Sequence, residues 1–248
     1  MESEKTAEWF EDWFDSPYYS ILYQNRDETE ARQFINALLE KLQPPSDARV
    51  LDLACGKGRF SKYLAEKGFD VTGLDLSDNS IRYARQFESD RLAFYTHDMR
   101  LPYRVRYYDY IFSFFTSFGY FDTDRDHIRT LKSIRTGLRA GGIFVLDFLN
   151  ARHVRNGLPM REEKELEGIR FQISKTEDGR FVTKSIRFED RGRAYSFEER
   201  VRLYEQPDLE RLFKEAGLEI TAVYGDYALQ AFDIQHSPRI ILVARAMG

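Results

Sequence analysis

Three aspartates stand at or near the ends of short apolar runs. Asp52 lies in Val50-Leu51-Asp52-Leu53, Asp75 closes Phe69 to Asp75, and Asp98 closes Leu92 to Asp98. A carboxylate accepts hydrogen bonds from hydroxyl, amino or ammonium groups and donates none when ionised. Between the first run and a helical pattern stand Gly56 and Gly58. Glycines there let the chain turn sharply and let a ligand approach the backbone. The helix that follows aims its free N–H groups into the loop. This is the geometry of a nucleotide or nucleoside-cofactor site at the carboxyl end of a strand.

The elements that position these groups alternate. Val50 to Leu53 reads as a buried parallel strand, and Phe60, Tyr63, Leu64 and Ala65 repeat at helical spacing up to Gly68. The second strand ends at Asp75, and Ser77 or Asp78 caps a helix carrying Ile81, Ala84 and Phe87. A third strand ends at Asp98. Tyr108 to Phe115 is a fourth, a helix covers 124–139, and Gly141-Gly142 turns into a fifth at Ile143 to Phe148. Such alternation predicts a parallel sheet with right-handed crossovers. From residue 168 the period changes. Ile169 to Lys175, Phe181 to Phe188 and Ala194 to Tyr204 read as an antiparallel meander with Gly-containing hairpin turns. A helix from Pro207 and two strands, Leu218 to Tyr224 and Arg239 to Ala246, complete the chain, the strands pairing antiparallel.

The expected fold is therefore α/β. It has a doubly wound, Rossmann-like seven-stranded sheet with an antiparallel last strand, an inserted β meander and an N-terminal helical cap. The divisions fall at 1–46 for the cap, 47–150 for the cofactor-binding core, 151–206 for the insertion and 207–248 for completion of the core. In the cap, Trp9, Phe10, Trp13 and Phe14 form a short helix ended by Asp15-Ser16-Pro17, and Asp27 to Leu42 a longer one.

Composition narrows the function. Net charge is −4 with both signs mixed, which speaks against a general nucleic-acid binder. The single cysteine, Cys55, forms no internal disulfide and suits a reducing compartment. It reads as a small buried loop residue rather than a nucleophile. The polar N-terminus is unlike a signal peptide, and no apolar run reaches membrane-spanning length. The expectation is a cytoplasmic monomer or homodimer with a small-molecule partner and no metal.

Two cofactors compete for the loop. Gly56-Lys57-Gly58-Arg59-Phe60-Ser61 can be laid on a dinucleotide fingerprint, with Asp75 about 20 residues on. An acid there suits a ribose in either case. Three features favour S-adenosylmethionine. Asp52 beside the loop repels a pyrophosphate but holds an ammonium, Asp98 is placed for an adenine amino group, and the helix-free final strands give an antiparallel edge.

The run Val50-Leu51-Asp52-Leu53-Ala54-Cys55-Gly56-Lys57-Gly58 resembles the first motif of class I S-adenosylmethionine-dependent methyltransferases. Gly73-Leu74-Asp75-Leu76-Ser77 resembles their second motif, and His97-Asp98-Met99-Arg100 their adenine-edge motif. Phe114-Phe115-Thr116-Ser117-Phe118-Gly119-Tyr120 resembles the segment lining their methyl-transfer cleft. The likeness is strongest to small-molecule N-methyltransferases. Ala54 departs from the pattern, since many members carry Gly there. The resemblance implies cofactor contacts from Asp52, Ala54, Cys55, Gly56, Gly58, Asp75, Leu76, Asp98, Met99 and Phe114. It implies an acceptor floor that includes Phe118 and Tyr120. It also implies that the N-terminal segment folds over the cofactor, with Tyr19, Tyr23 and Arg26 toward the methionine carboxylate. Tyr18, Tyr19, Tyr23, His127 and His153 are the candidates for a base, should the acceptor need one. A dinucleotide-dependent oxidoreductase and a non-catalytic cofactor-binding module are the alternatives.

Overall fold

The computed structural model describes residues 9–23 and 28–247. The first part of the chain forms α1 (Trp9–Phe14), α2 (Pro17–Leu22), α3 (Glu28–Leu42), β1 (Arg49–Leu53), α4 (Arg59–Glu66), β2 (Asp70–Asp75), α5 (Asp78–Ala84), β3 (Leu92–Thr96) and β4 (Tyr108–Ser113). The second part forms α6 (Asp124–Gly137), β5 (Leu138–Leu149), α7 (Ala151–Asn156), β6 (Met160–Leu166), β7 (Ile169–Glu177), β8 (Phe181–Asp190), β9 (Arg193–Arg202), α8 (Gln206–Glu215), β10 (Leu218–Tyr224) and β11 (Arg239–Ala246).

Seven strands make one sheet, ordered β10-β11-β5-β4-β1-β2-β3. β1 pairs parallel with both β2 and β4, so the strand order reverses beside it. Ligands of open α/β sheets bind in the crevice at such a switch point. β11 runs antiparallel to both β5 and β10. This is the expected α/β sheet with its antiparallel end. Helix α3 shows why the layers hold. Ala31, Phe34, Ile35 and Leu38 fall at i, i+3, i+4 and i+7, and each is at most 1% exposed. Phe34, Ile35 and Leu38 pack with Val50, Leu64, Val71 and Ile81 on one face of the sheet. On the other face, Leu131 and Ile134 of α6 and Leu209, Leu212 and Phe213 of α8 pack with Ile111, Phe144 and Leu242. Each such side chain contributes about 1.5–3 kcal/mol by leaving water.

Strands β6 to β9 form a second, four-stranded antiparallel sheet. Here the structure corrects the sequence reading, which had three strands. The charged run Arg161 to Glu165 is β6, paired with β7 at the sheet edge. An edge strand rich in charge shows no apolar alternation, so its pattern imitates a solvated loop. Helices α2 and α7 were not anticipated either. Pro17 both ends α1 and opens α2, with Ser16 capping the Tyr18 N–H. β5 begins at Leu138, five residues earlier than expected, its pairing with β4 interrupted by a register shift after Tyr108.

A third apolar cluster joins the N-terminus to the second sheet. Trp13 and Leu22 are buried with Phe171, Ile173, Ile186 and Phe188. Thus α1 and α2 pack on the second sheet, whereas α3 belongs to the helix layer of the main one. Among the described residues, no helix is long and apolar enough to cross a membrane.

Candidate active site

The loop between β1 and α4 is built around absent and strained side chains. Gly58, at φ 78°, is the N-cap of α4. A Cβ there would lie 2.5 Å from the Phe94 ring, and one on Gly73 of β2 would also meet Phe94 at 2.5 Å. Phe94 is fully buried, so the ring fills the room these two glycines leave. Ala54 sits at φ 62°, in the left-handed region that glycine prefers.

Asp75, at the end of β2, orients the loop. Its Oδ2 accepts the Gly56 N–H at 2.8 Å and its Oδ1 accepts the Ser77 N–H at 2.9 Å. Each oxygen keeps a lone pair for a further donor, such as a vicinal diol. Burial pushes this carboxyl above its ordinary range, against the pull of the backbone donors. Asp52 is 1% exposed and accepts Ser61 Oγ–H at 2.6 Å. Burial raises it to about 6, with Ser61 opposing. A buried, readily neutralised carboxyl is well suited to an ammonium partner that would restore its charge. Cys55 is buried and unpaired, and burial pushes its thiol up, away from the thiolate.

One cavity of about 640 Å³ brings these groups together. It is lined by Asp52, Ala54, Cys55, Gly56, Gly58, Asp75, Leu76, Asp98, Met99 and Phe114, and by Tyr19, Tyr23 and Tyr120. A purine nucleoside carrying an amino acid fits that volume and that set of acceptors. Asp98 has a partner of its own. Arg100 Nε donates to both its oxygens at 3.0 Å, Nη2 to Oδ2 at 2.7 Å and the backbone N–H to Oδ1 at 2.9 Å. Burial alone would raise Asp98, but these bonds and the guanidinium charge bring it below its ordinary value. Its acceptor capacity is therefore largely filled, and an adenine amino group would have to share it with Arg100.

Phe118 is the correction on the acceptor side. It is 2% exposed and does not line the cavity. Its ring packs on His127, Phe148 and Tyr204 in the core. Phe115, Ser117 and Phe121 line the cavity together with Phe114 and Tyr120. The resemblance placed Phe118 on the acceptor floor, but the turn after β4 directs it into the core instead. Phe115 and Thr116 lie at φ 57° and 60°, both left-handed. Asp147, fully buried at the end of β5, holds that turn by accepting the Phe115 N–H at 2.7 Å. Arg239 of β11 pairs with Asp147 at 2.7 Å and donates to Thr116 Oγ1 at 2.8 Å. An Asp in an apolar strand and an Arg at the start of the last one were the only sequence signals of this brace.

The cap is tied down at both ends. Asp15 accepts Ser77 Oγ–H at 2.6 Å, two residues past Asp75, and the Asn79 N–H at 3.2 Å. Lys57 donates to Ser20 at 2.7 Å. At the other end Trp13 Nε1 donates to Glu199 Oε1 of β9 at 2.7 Å, and Tyr23 OH donates to the same oxygen at 2.5 Å. Tyr23 thus already spends its proton on Glu199, and a methionine carboxylate would compete for it. Arg26 lies outside the described residues. Of the five candidate bases, only Tyr19 and Tyr23 line the cavity. Tyr18 donates to Asp190 at 2.8 Å, His153 is exposed on α7, and His127 is fully buried. Burial lowers His127 to about 4, so it stays neutral. Glu199 was missed altogether. Its signal was a lone acid in the alternation Tyr195, Phe197, Glu199, Val201. Among the described residues, no group of three metal-ligating side chains occurs.

Known proteins bear on this arrangement. A family model described as a methyltransferase domain matches residues 23–223. Human glycine N-methyltransferase is 30% identical over 151 residues, covering 54% of this chain and 51% of that protein. The dTDP-3-amino-3,4,6-trideoxy-alpha-D-glucopyranose N,N-dimethyltransferase of Streptomyces venezuelae is 28% identical over 130 residues, covering 52% and 54%. The chain spans about half the length of these curated relatives. In overall fold it is similar to the crystal structure of an S-adenosylmethionine-dependent methyltransferase from Clostridium acetobutylicum. The TM-score is 0.78 at 21% identity, over 93% of this chain and 96% of that one. With the match running through most of its length, the chain belongs to the methyltransferase domain family.

Proposed function

We propose that this protein transfers a methyl group from S-adenosylmethionine to an amine on a small molecule, by in-line displacement. The observation that carries the reading is the meeting of Asp52, Asp75 and Asp98, from three neighbouring strand ends, at one cavity. In this reading Asp75 accepts from the ribose hydroxyls and Asp52 pairs with the methionine ammonium. Asp98 meets the adenine edge, while Leu76 and Met99 supply apolar walls. Tyr19 and Tyr23 close over the methionine end. When bound, S-adenosylmethionine supplies an activated methyl group on a sulfonium. The chain's own work is to align the acceptor, which is worth roughly 7–11 kcal/mol in well-oriented systems. The Phe115–Thr116 turn, braced by Asp147 and Arg239, fixes one wall of the acceptor space. Aromatic faces from the cap exclude water and favour cations. The amine is suggested by the N-methyltransferases among the relatives.

Calorimetry with S-adenosylmethionine, S-adenosylhomocysteine and a nicotinamide dinucleotide tests the cofactor. Binding of the first two and not the third is expected, and the reverse would sink the proposal. Methyl transfer to a panel of amines, phenols and carboxylates then tests the acceptor. Cofactor binding without turnover on any of them would favour a non-catalytic module.

A further inference from the structure

The second sheet carries a charged pair where its pattern calls for apolar residues. On β8, Phe188, Ile186, Lys184 and Val182 share one face; on β9, Tyr195, Phe197, Glu199 and Val201 share the facing row. In register they form the cross-strand pairs Phe188–Tyr195, Ile186–Phe197, Lys184–Glu199 and Val182–Val201. The first two pairs bury themselves against α1 and α2. The third is ionic, with side chains only 15% and 16% exposed. A half-buried ion pair on an apolar row is seldom the most stable solution, since apolar residues of like volume do as well or better. Glu199 serves the cap by accepting from Trp13 and Tyr23, and Lys184 donates to the Tyr23 hydroxyl.

Glu199 lines the same cavity as Asp52 and Asp75. Its two oxygens differ. Oε1 takes both Trp13 and Tyr23, while among the described residues the cation beside Oε2 is Lys184 at 3.7 Å, beyond hydrogen-bond length. Among the described residues, no hydrogen bond reaches Oε2. Leading up to it is a strip of rings that also line the cavity. Tyr120 meets Phe14 at 5.3 Å, Phe14 meets Tyr19 at 5.0 Å, and Tyr19 meets Tyr23 at 4.8 Å. Ring faces beside a carboxylate make a cation site, and here the chain's own Lys184 ammonium already lies over the Tyr23 ring, 4.5 Å from its centre.

We propose that Glu199 and this strip form a subsite for an ammonium group of the acceptor, set in an otherwise apolar molecule. The inference rests on the methyltransferase reading for the word acceptor, but the subsite itself rests on the cavity. Lys184 is a built-in competitor for Glu199, so the two residues of one pair act in opposite directions on a bound cation.

The test uses benzylammonium and benzyl alcohol, titrated by calorimetry near neutral pH into the full chain, with and without S-adenosylhomocysteine. The ammonium is expected to bind about tenfold tighter than the alcohol. In Glu199→Gln, which keeps an acceptor for Trp13 and Tyr23, that ratio falls to about one. In Lys184→Met it rises by severalfold. A purely structural pair would weaken both probes alike in both variants. Equal affinity of the two probes, failure of both to bind, or a ratio unmoved in Glu199→Gln overturns the proposal. Failure of S-adenosylhomocysteine to bind, with the ammonium preference intact, would sink the cofactor reading and leave the subsite standing.

Discussion

The two ends of the cavity are built by opposite means. At the strand-tip end, each partner lies close in sequence. Asp75 binds the Gly56 and Ser77 backbones, Asp52 binds Ser61, and Asp98 binds Arg100. At the cap end the partners lie far apart. Trp13 reaches Glu199, Tyr18 reaches Asp190 and Tyr23 reaches Glu199, across 186, 172 and 176 residues. The first end inherits its geometry from a parallel sheet whose strands are buried on both faces. The second depends on two short helices docking on a separate sheet. One end can hold a common ligand portion in any relative with the motif, while the other can change with the insertion that builds it.

If that contrast is right, the cap end should come loose without the strand tips. Trp13 is fully buried against Phe197 and Tyr19. Trp13→Ala should cost about 3–5 kcal/mol of local stability, the usual toll of removing a buried Trp. By hydrogen exchange, α1, α2, β8 and β9 should lose protection while β1 and β4 keep theirs. Equal loss in β1 and β4 would make the two ends a single cooperative unit and break the comparison.

At the strand tips the largest change should come from Asp75→Asn. Asparagine keeps one acceptor, so either Gly56 or Ser77 loses its backbone partner and any diol loses a charged one. Affinity for S-adenosylhomocysteine should fall roughly 30- to 150-fold, on losses of about 2–3 kcal/mol. The cap's protection should not change. A drop of under about threefold would remove Asp75 from the ligand.

Asp52 gives a smaller, pH-dependent effect. Burial raises its folded value to about 6, above the unfolded carboxyl. The ligand-free native state therefore holds the extra proton. Asp52's contribution to stability is fully present below about pH 4 and is lost as pH rises through about 6. Pairing with an ammonium needs the ionised form, so ligand affinity runs the other way. S-adenosylhomocysteine binding should be level above about pH 7 and weaken toward a tenfold fall per unit below about 6. Asp52→Asn should flatten that part of the profile. An unchanged slope in the variant would assign the titration elsewhere.

The same contrast explains what could be read in advance. The glycine loop, Asp75 and Asp98 announce themselves because strand, turn and acid are contiguous, and their chemistry follows from that order. The parallel sheet followed from the alternation of strand and helix patterns, while its strand order came only with the structure. Phe118 misled because it was placed by resemblance to a cleft-lining segment, and a motif carries no backbone angles: two left-handed residues, Phe115 and Thr116, turn the chain before it. That turn is bought by Asp147 and Arg239, whose pairing across 92 residues no local pattern carries. Strand β6 hid because an edge strand can be charged on both faces. Glu199 was visible only as a flaw in an alternation, and a flaw has meaning only once the cap it faces is known.

The smallest effect tests the strand-tip loop at its one departure from the family pattern. Ala54 adopts φ 62° although it has a Cβ. An L-residue pays about 1–2 kcal/mol for that conformation, and glycine pays almost none. Against this, glycine frees the unfolded chain and loses about 0.4–1 kcal/mol. Ala54→Gly should therefore stabilise by no more than about 1.6 kcal/mol, lifting the melting temperature by at most about 3–6 °C. Affinity for S-adenosylhomocysteine should stay within about threefold, since the backbone already has the glycine shape. Ala54→Val is the matching control. A β-branched side chain fits this region worst, so it should destabilise and weaken binding together. If Ala54→Gly instead lowers stability, the methyl group packs usefully, and the absence of glycine here is a gain in contact rather than a tolerated strain.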